Sequence, residues 1–294
     1  MGRNCVTTTL TELKKPARAA ARHLALDALA LRDRMTGSVT GLLQTPRVHL
    51  LYLHAVPVHE EPAFRALLDR LAKDHEFVTH DEAVRRIRTG DITAPAVSFS
   101  FDDAFASNYR TASILEEYGT RGMFFVPADM PGTGTVEGTR RLFGYEQNVT
   151  EPGMTWAQID ELRERGHGIG SHTCTHANLA EVPVADAREE IRRAHEVLTA
   201  RYGDVPHFAW PFGRTFHITP ELVETVFETG HTTCSSAVRG SHCGASPDDA
   251  ERPLVLLRDH VMTSWPLEHT LHLLSRSAAS PRPPWTQYPQ EWTR

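Results

Sequence analysis

The sequence predicts an α/β fold in which βα units surround a parallel sheet or barrel. From Val48 onward, short apolar runs alternate with amphipathic segments of helical length. Several of those segments begin after a capping residue, as Thr155 does before Trp156 and Thr219 before Pro220. A chain of 294 residues that is 40% hydrophobic can bury one full core, within the range that α/β barrels occupy as a single domain.

The strand candidates are residues 48–53, 97–101, 123–126, 168–170, 208–210 and 254–257. The helical candidates between them are 62–74, 81–89, 107–118, 156–165, 184–202 and 220–228. Ahead of them, residues 16–35 are rich in Ala, Leu and Arg, and Leu24, Leu26, Leu29 and Leu31 give an imperfect amphipathic helix suited to packing or to a dimer contact. Residues 128–153 hold five glycines and no clear periodicity, which predicts a long loop over one barrel end. The tail from Ser280 carries Pro281, Pro283, Pro284 and Pro289, so it propagates neither helix nor strand and is expected to wrap the surface or stay disordered. The chain thus divides into an N-terminal helical extension (1–45), a main domain (46–275) and a Pro-rich tail (276–294).

Composition excludes some partners. A net charge of -6 with a pI near 6.3 lacks the basic excess that neutralising nucleic-acid phosphates requires. Cys5, Cys174, Cys234 and Cys243 are too few and too scattered for a disulfide framework, so reduced thiols are expected. No apolar h-region is visible near Met1, and no apolar run approaches the ~18 residues of a membrane span. A cytoplasmic protein without an integral membrane segment is the expectation, and the Asn148-Val149-Thr150 sequon then has no role. A homo-oligomer is compatible with all of this.

Two clusters carry chemistry. The apolar run at 97–101 ends in Asp102-Asp103, and two adjacent carboxylates at the end of a buried strand are costly unless something positive lies between them. A metal ion meets that cost; the plainer reading makes one Asp a helix cap and leaves the other in water. The second cluster, Ser171-His172-Thr173-Cys174-Thr175-His176, places two histidines four apart, on one side of a helical turn. With 17 histidines in the chain, that pair alone proves little. One carboxylate and two imidazoles together leave coordination positions open, as a catalytic zinc-like site does, and the spare carboxylate could take a proton from water as general base. Both carboxylates reach one site only if the strand end kinks, because adjacent strand residues point to opposite faces.

Ser100-Phe101-Asp102-Asp103 and Ser171-His172-Thr173-Cys174-Thr175-His176, about 70 residues apart, resemble the first two motifs of the polysaccharide deacetylase family, carbohydrate esterase family 4. The resemblance runs from about Val48 to about Thr263 and implies a deformed (β/α) barrel. It implies that Asp102 is the catalytic base and that Asp103, His172 and His176 hold a divalent metal. Zinc is the expected ion, and cobalt, nickel or manganese also suit these donors. The implied activity is removal of an acetyl group from an N-acetylated carbohydrate.

The third motif resembles Phe208-Ala209-Trp210-Pro211-Phe212-Gly213, which places Trp210, Pro211 and Phe212 at the substrate, with the Phe212 backbone N–H toward the oxyanion. Ala209 stands where many members carry the arginine that orients the base. Bacterial exopolysaccharide deacetylases share this Ala form and carry a later Leu-Pro-Arg-like segment, which Leu256-Leu257-Arg258 resembles. Arg258 is the candidate replacement; a surface arginine at a strand end is its plainer reading. Two histidines compete as the acid that protonates the leaving amine. His54, in a segment resembling the early Tyr-His-x-Val strand of that branch, is preferred, although Leu53 separates it from Tyr52. His260 fits the Leu-x-x-His pattern of the last motif, and its plainer reading is an exposed strand residue. His269 and His272 read as helix-surface histidines. Hydrolysis of another non-peptide amide, and a non-catalytic carbohydrate-binding relic of the fold, are the rival functions.

Overall fold

The computed structural model describes residues 7–144 and 149–292, with side chains from Ala20 onward. Cys5 and Asn148 lie outside the described residues. The barrel begins with β1 (Arg47–Leu53), buried along its whole length. The chain continues through α3 (Glu61–Leu71), β2 (Glu76–Phe77), α4 (His80–Thr89), β3 (Pro95–Phe101), α5 (Ser107–Glu117), β4 (Met123–Val126), α6 (Val136–Phe143) and α7 (Trp156–Glu164). It closes with β5 (Gly168–Ser171), α8 (Val184–Tyr202), β6 (His207–Ala209), α9 (Pro220–Glu228), β7 (Thr233–Ser235), β8 (Leu254–Leu256), β9 (Asp259–His260) and α10 (Leu267–Ala278). Two helices precede the barrel, α1 (Thr7–Thr36) and α2 (Ser38–Leu43).

All the strands pair in parallel, in the order β8-β7-β6-β5-β4-β3-β1-β9, with β2 beside the first half of β3. Strands covered on both faces are buried at successive positions, as β1 and β4 are throughout and β3 is after its first residue. The sheet curls into a half-barrel, and a non-strand segment bridges the gap between β8 and β1. His242 exchanges backbone hydrogen bonds with Val48 at 2.8 and 2.9 Å, its ring Nε2 accepts the Leu257 N–H at 2.9 Å, and Val238 accepts the Arg258 N–H at 3.1 Å. This substitution of a loop for a strand is the deformation of the barrel.

Three expectations need correction. The 128–153 segment is not a single loop: α6 forms inside it, because the Thr135 side chain caps the Gly138 N–H and Gly144 ends the helix at positive φ. Of the two expectations for the Pro-rich tail, wrapping the surface holds and disorder does not, since it packs against the barrel through Trp292. Trp285 forms an antiparallel bridge with Val255 on the edge strand β8, and the Tyr288 hydroxyl donates to the Thr215 carbonyl at 2.6 Å. Its aromatic rings supply the burial, while its prolines limit pairing to single bridges. Finally, His269 and His272 of α10 are 1% and 5% exposed rather than on the surface. They face Asp27 at 2.7 Å and Asp33 at 2.5 Å, and so dock α1 onto the barrel. Cys174, Cys234 and Cys243 are free thiols. Among the described residues no helix is long and apolar enough to cross a membrane.

Candidate metal centre and active-site cleft

The site forms where β1, β3 and β5 end. Asp102 continues the ladder past β3 by donating its N–H to the Leu53 carbonyl at 2.9 Å. Asp103 (φ 74°) and Ala104 (φ 54°) are then both left-handed, a conformation that costs non-glycine residues energy and needs enforcement by its surroundings. This kink breaks strand alternation, and both carboxylates reach the same end of the barrel.

His172 follows β5, with its N–H on the Val126 carbonyl at 3.1 Å. The path from His172 to His176 is a loop rather than the expected helical turn. Thr173 (φ 65°) and His176 (φ 61°) are left-handed, and the Thr173 hydroxyl accepts the His176 N–H at 3.1 Å. Glu190 of α8 holds the loop from outside by accepting the Cys174 and Thr175 N–H groups at 2.9 and 2.8 Å and the Thr175 hydroxyl at 2.9 Å. No sequence signal singled out Glu190, since it binds backbone that a motif leaves unspecified.

Oδ1 of Asp103 lies 3.4 Å from Nε2 of His172 and 3.2 Å from Nε2 of His176. The three donor atoms lie within 4.8 Å of one another, and all three residues are buried. His172 directs Nδ1 at the Ala209 carbonyl at 2.7 Å, which places a proton there and turns the Nε2 lone pair toward Asp103. Asp103 Oδ1 receives no hydrogen bond despite its burial. Two imidazole lone pairs and an uncompensated carboxylate oxygen aimed at one point repel each other unless a cation sits among them, so the donors fit a divalent ion. When no ion is bound and these histidines are protonated, burial would raise Asp103 but the facing imidazoliums hold its carboxyl well below the usual range.

Arg258 is fully buried, not a surface arginine, and donates to both oxygens of Asp102 at 2.8 and 2.9 Å. Burial opposes ionisation of Asp102, yet the Arg258 charge, joined by His172, keeps its carboxyl below the ordinary value. Guanidinium Nε and Nη1 are also engaged, by the Ser236 carbonyl at 2.9 Å and the Ser100 hydroxyl at 3.2 Å.

A cleft of about 440 Å³ opens above this cluster, lined by His54, Glu60, Asp103, His176, Phe212 and His260 among others. The His54 side chain is 42% exposed, with Nε2 3.9 Å from Asp103 Oδ2. His260 is not an exposed strand residue: it stacks on Tyr52 at 4.7 Å and meets the His54 ring edge-on at 5.1 Å. Burial, with the His54 charge beside it, pushes His260 down to about 3. Phe212 is left-handed (φ 61°), 42% exposed and beside the His176 ring. The expectation for Trp210 and Pro211 needs correction. The Trp210 side chain is fully buried in the core around α9, with Nε1 donating to the Arg214 carbonyl at 3.0 Å, and Pro211 is also buried. The chain leaves β6 with the Trp210 ring turned away from the cleft, so only Phe212 of this motif faces it.

Comparison with known proteins gives the family and the fold. A sequence model described as polysaccharide deacetylase matches residues 89–235. A chitin deacetylase of Pestalotiopsis sp is 26% identical over 153 residues, which cover 51% of this chain and 45% of that protein. The aligned region thus spans less than half the length of this curated relative. Among solved structures, IcaB from Ammonifex degensii superposes with a TM-score of 0.62 at 22% identity, over 81% of this chain and 99% of that one. The Streptococcus pyogenes deacetylase PplD gives a TM-score of 0.61 at 19% identity, over 78% and 99% respectively.

Proposed function

This chain belongs to the polysaccharide deacetylase family, and from that premise we propose that it is a metal-dependent hydrolase that removes the acetyl group from an N-acetylated sugar. The substrate class comprises polysaccharides, oligosaccharides and sugar-containing metabolites. The observation that carries the reading is the pairing of two sites on adjacent residues. Asp103 belongs to a three-donor cluster, while Asp102 is ionised and held by Arg258 immediately beside it.

Asp103, His172 and His176 would hold a divalent ion, zinc being the expected one, which would supply Lewis acidity when bound. Asp102 accepts the proton of the water that attacks the acetyl carbon, and Arg258 fixes the direction in which its lone pairs point. The Phe212 N–H, at a left-handed turn on the cleft wall, donates to the acyl oxygen as negative charge develops there. His54 gives its proton to the departing nitrogen, and the products are acetate and a free amino sugar.

The test is acetate release by the zinc-loaded protein across N-acetylated monosaccharides, oligosaccharides and simple amides. Turnover on the sugars that exceeds turnover on simple amides is expected. The reverse preference would assign the site to another amide. No turnover at full metal occupancy would make the chain a binding relic.

A further inference from the structure

We propose that Tyr52 is a positioning residue of this reaction, and that its ring holds Arg258 in the orientation that aims the Asp102 carboxylate. The inference rests on the deacetylase reading above and extends it to a residue that does not line the cleft. Tyr52 lies on β1 in register with Ser100 of β3 and is 7% exposed. The Arg258 guanidinium carbon lies over its ring at 4.6 Å and over the Phe125 ring at 5.1 Å.

The chemistry explains why aromatic rings occupy these positions. A guanidinium in the dry interior needs stabilisation across its flat faces, where it has no donors. A polar side chain there would offer an acceptor and draw N–H groups away from Asp102. A ring face attracts the cation through its quadrupole and competes for no donor. Tyr52 also touches the other side of the reaction: His260 stacks on it at 4.7 Å, and His54 meets it edge-on at 5.7 Å. One buried ring therefore contacts the arginine behind the proton acceptor and both candidate proton donors.

The experiment compares Tyr52→Phe and Tyr52→Leu in the full zinc-loaded chain, with Phe125→Leu as the alternative should Tyr52→Leu fail to fold. Tyr52→Phe keeps the ring and is expected to stay within about twofold of the parent kcat. Tyr52→Leu is expected to lower kcat about tenfold, the order of a desolvated cation–π contact, with KM and bound zinc unchanged. A second readout needs no turnover: exchange of the Arg258 Nε proton, followed by ¹⁵N NMR, should be faster in Tyr52→Leu than in Tyr52→Phe. Parent-like kcat and exchange in Tyr52→Leu would overturn the proposal. So would a Tyr52→Phe variant as impaired as Tyr52→Leu, which would assign the effect to the hydroxyl. A parent protein inactive on every N-acetylated sugar would sink the deacetylase reading, while the exchange comparison would still decide whether the ring holds Arg258.

Discussion

Arg258 and Asp102, 156 positions apart in sequence, meet through two parallel hydrogen bonds of 2.8 and 2.9 Å inside the barrel. The guanidinium fork matches the carboxylate fork, so the contact sets a direction as well as a charge.

Arg258→Lys should therefore keep the charge and lose the direction. A lysine ammonium is a point donor, and turnover should fall about 10- to 100-fold, consistent with the cost of misplacing a reacting group. Arg258→Ala should in addition destabilise the fold by about 3–5 kcal/mol, because it leaves a buried carboxylate unpaired. Steady-state kinetics with a urea unfolding curve check both. A lysine variant with parent kcat would show that orientation of Asp102 is immaterial.

Asp102 and Asp103 should separate by substitution although they are neighbours. Asp102→Asn should retain the metal and lose turnover by about 10²–10⁴, the usual contribution of a positioned base. His172→Ala should lose metal and turnover together, since it removes one of three donors. Elemental analysis of each purified variant beside its acetate-release rate is the measurement. Loss of metal from Asp102→Asn would mean that Asp102 is itself a ligand.

The pattern of legibility follows how local each signal is. Asp102, Asp103, His172 and His176 lie in two short motifs, each at the end of a strand that reads as an apolar run, so their neighbourhood was visible. Arg258 was reachable only by resemblance, because its partner lies 156 positions away in the chain and only the β3-β1-β9 pairing brings the two together. Trp210 misled for a related reason: a motif places the chain at the site but does not say which way each side chain turns. The strands β7 and β9 carried no apolar run, since Thr-Cys-Ser and Asp-His are defined by their neighbours' ladders. Helix α6 has a cap and an amphipathic face, but with eight residues and Gly138 inside it is too short for its period to stand out among the surrounding glycines.

Acid should destabilise the metal-free protein well above the carboxylate range. Burial lowers His75 and His242 to about 4 and His231 to about 3, while the unfolded chain takes up these protons near 6.5. The unfolded state thus binds more protons between about pH 6.5 and 4, and stability falls as pH falls through that window. Asp259, raised by burial to about 6, opposes one of the three. For these four groups taken alone, a net uptake of two protons corresponds to on the order of 3 kcal/mol per pH unit at the steepest point. Urea midpoints measured from pH 7 to pH 4 test this, and a flat profile down to pH 5 would contradict it.

The identity of the proton donor turns on two imidazoles whose rings meet at 5.1 Å. A donor must carry its proton at working pH and reach the leaving nitrogen. His260, pushed down to about 3 by burial and by the His54 charge, is neutral near pH 7, so protonating it first would cost more than catalysis gains. His54 lines the cleft, is partly exposed, and has Nε2 3.9 Å from Asp103 Oδ2, so it stands beside the metal donors with access to the cleft. His54→Ala should accordingly lower turnover by about 10²–10⁴ with metal content unchanged. His260→Ala should cost less, because the residue acts by packing between Tyr52 and His54 rather than by giving up a proton. Substrates with progressively better leaving groups sharpen the test, since a variant without its acid recovers on amines that depart unprotonated. Recovery of His260→Ala rather than His54→Ala on such substrates would reverse the assignment.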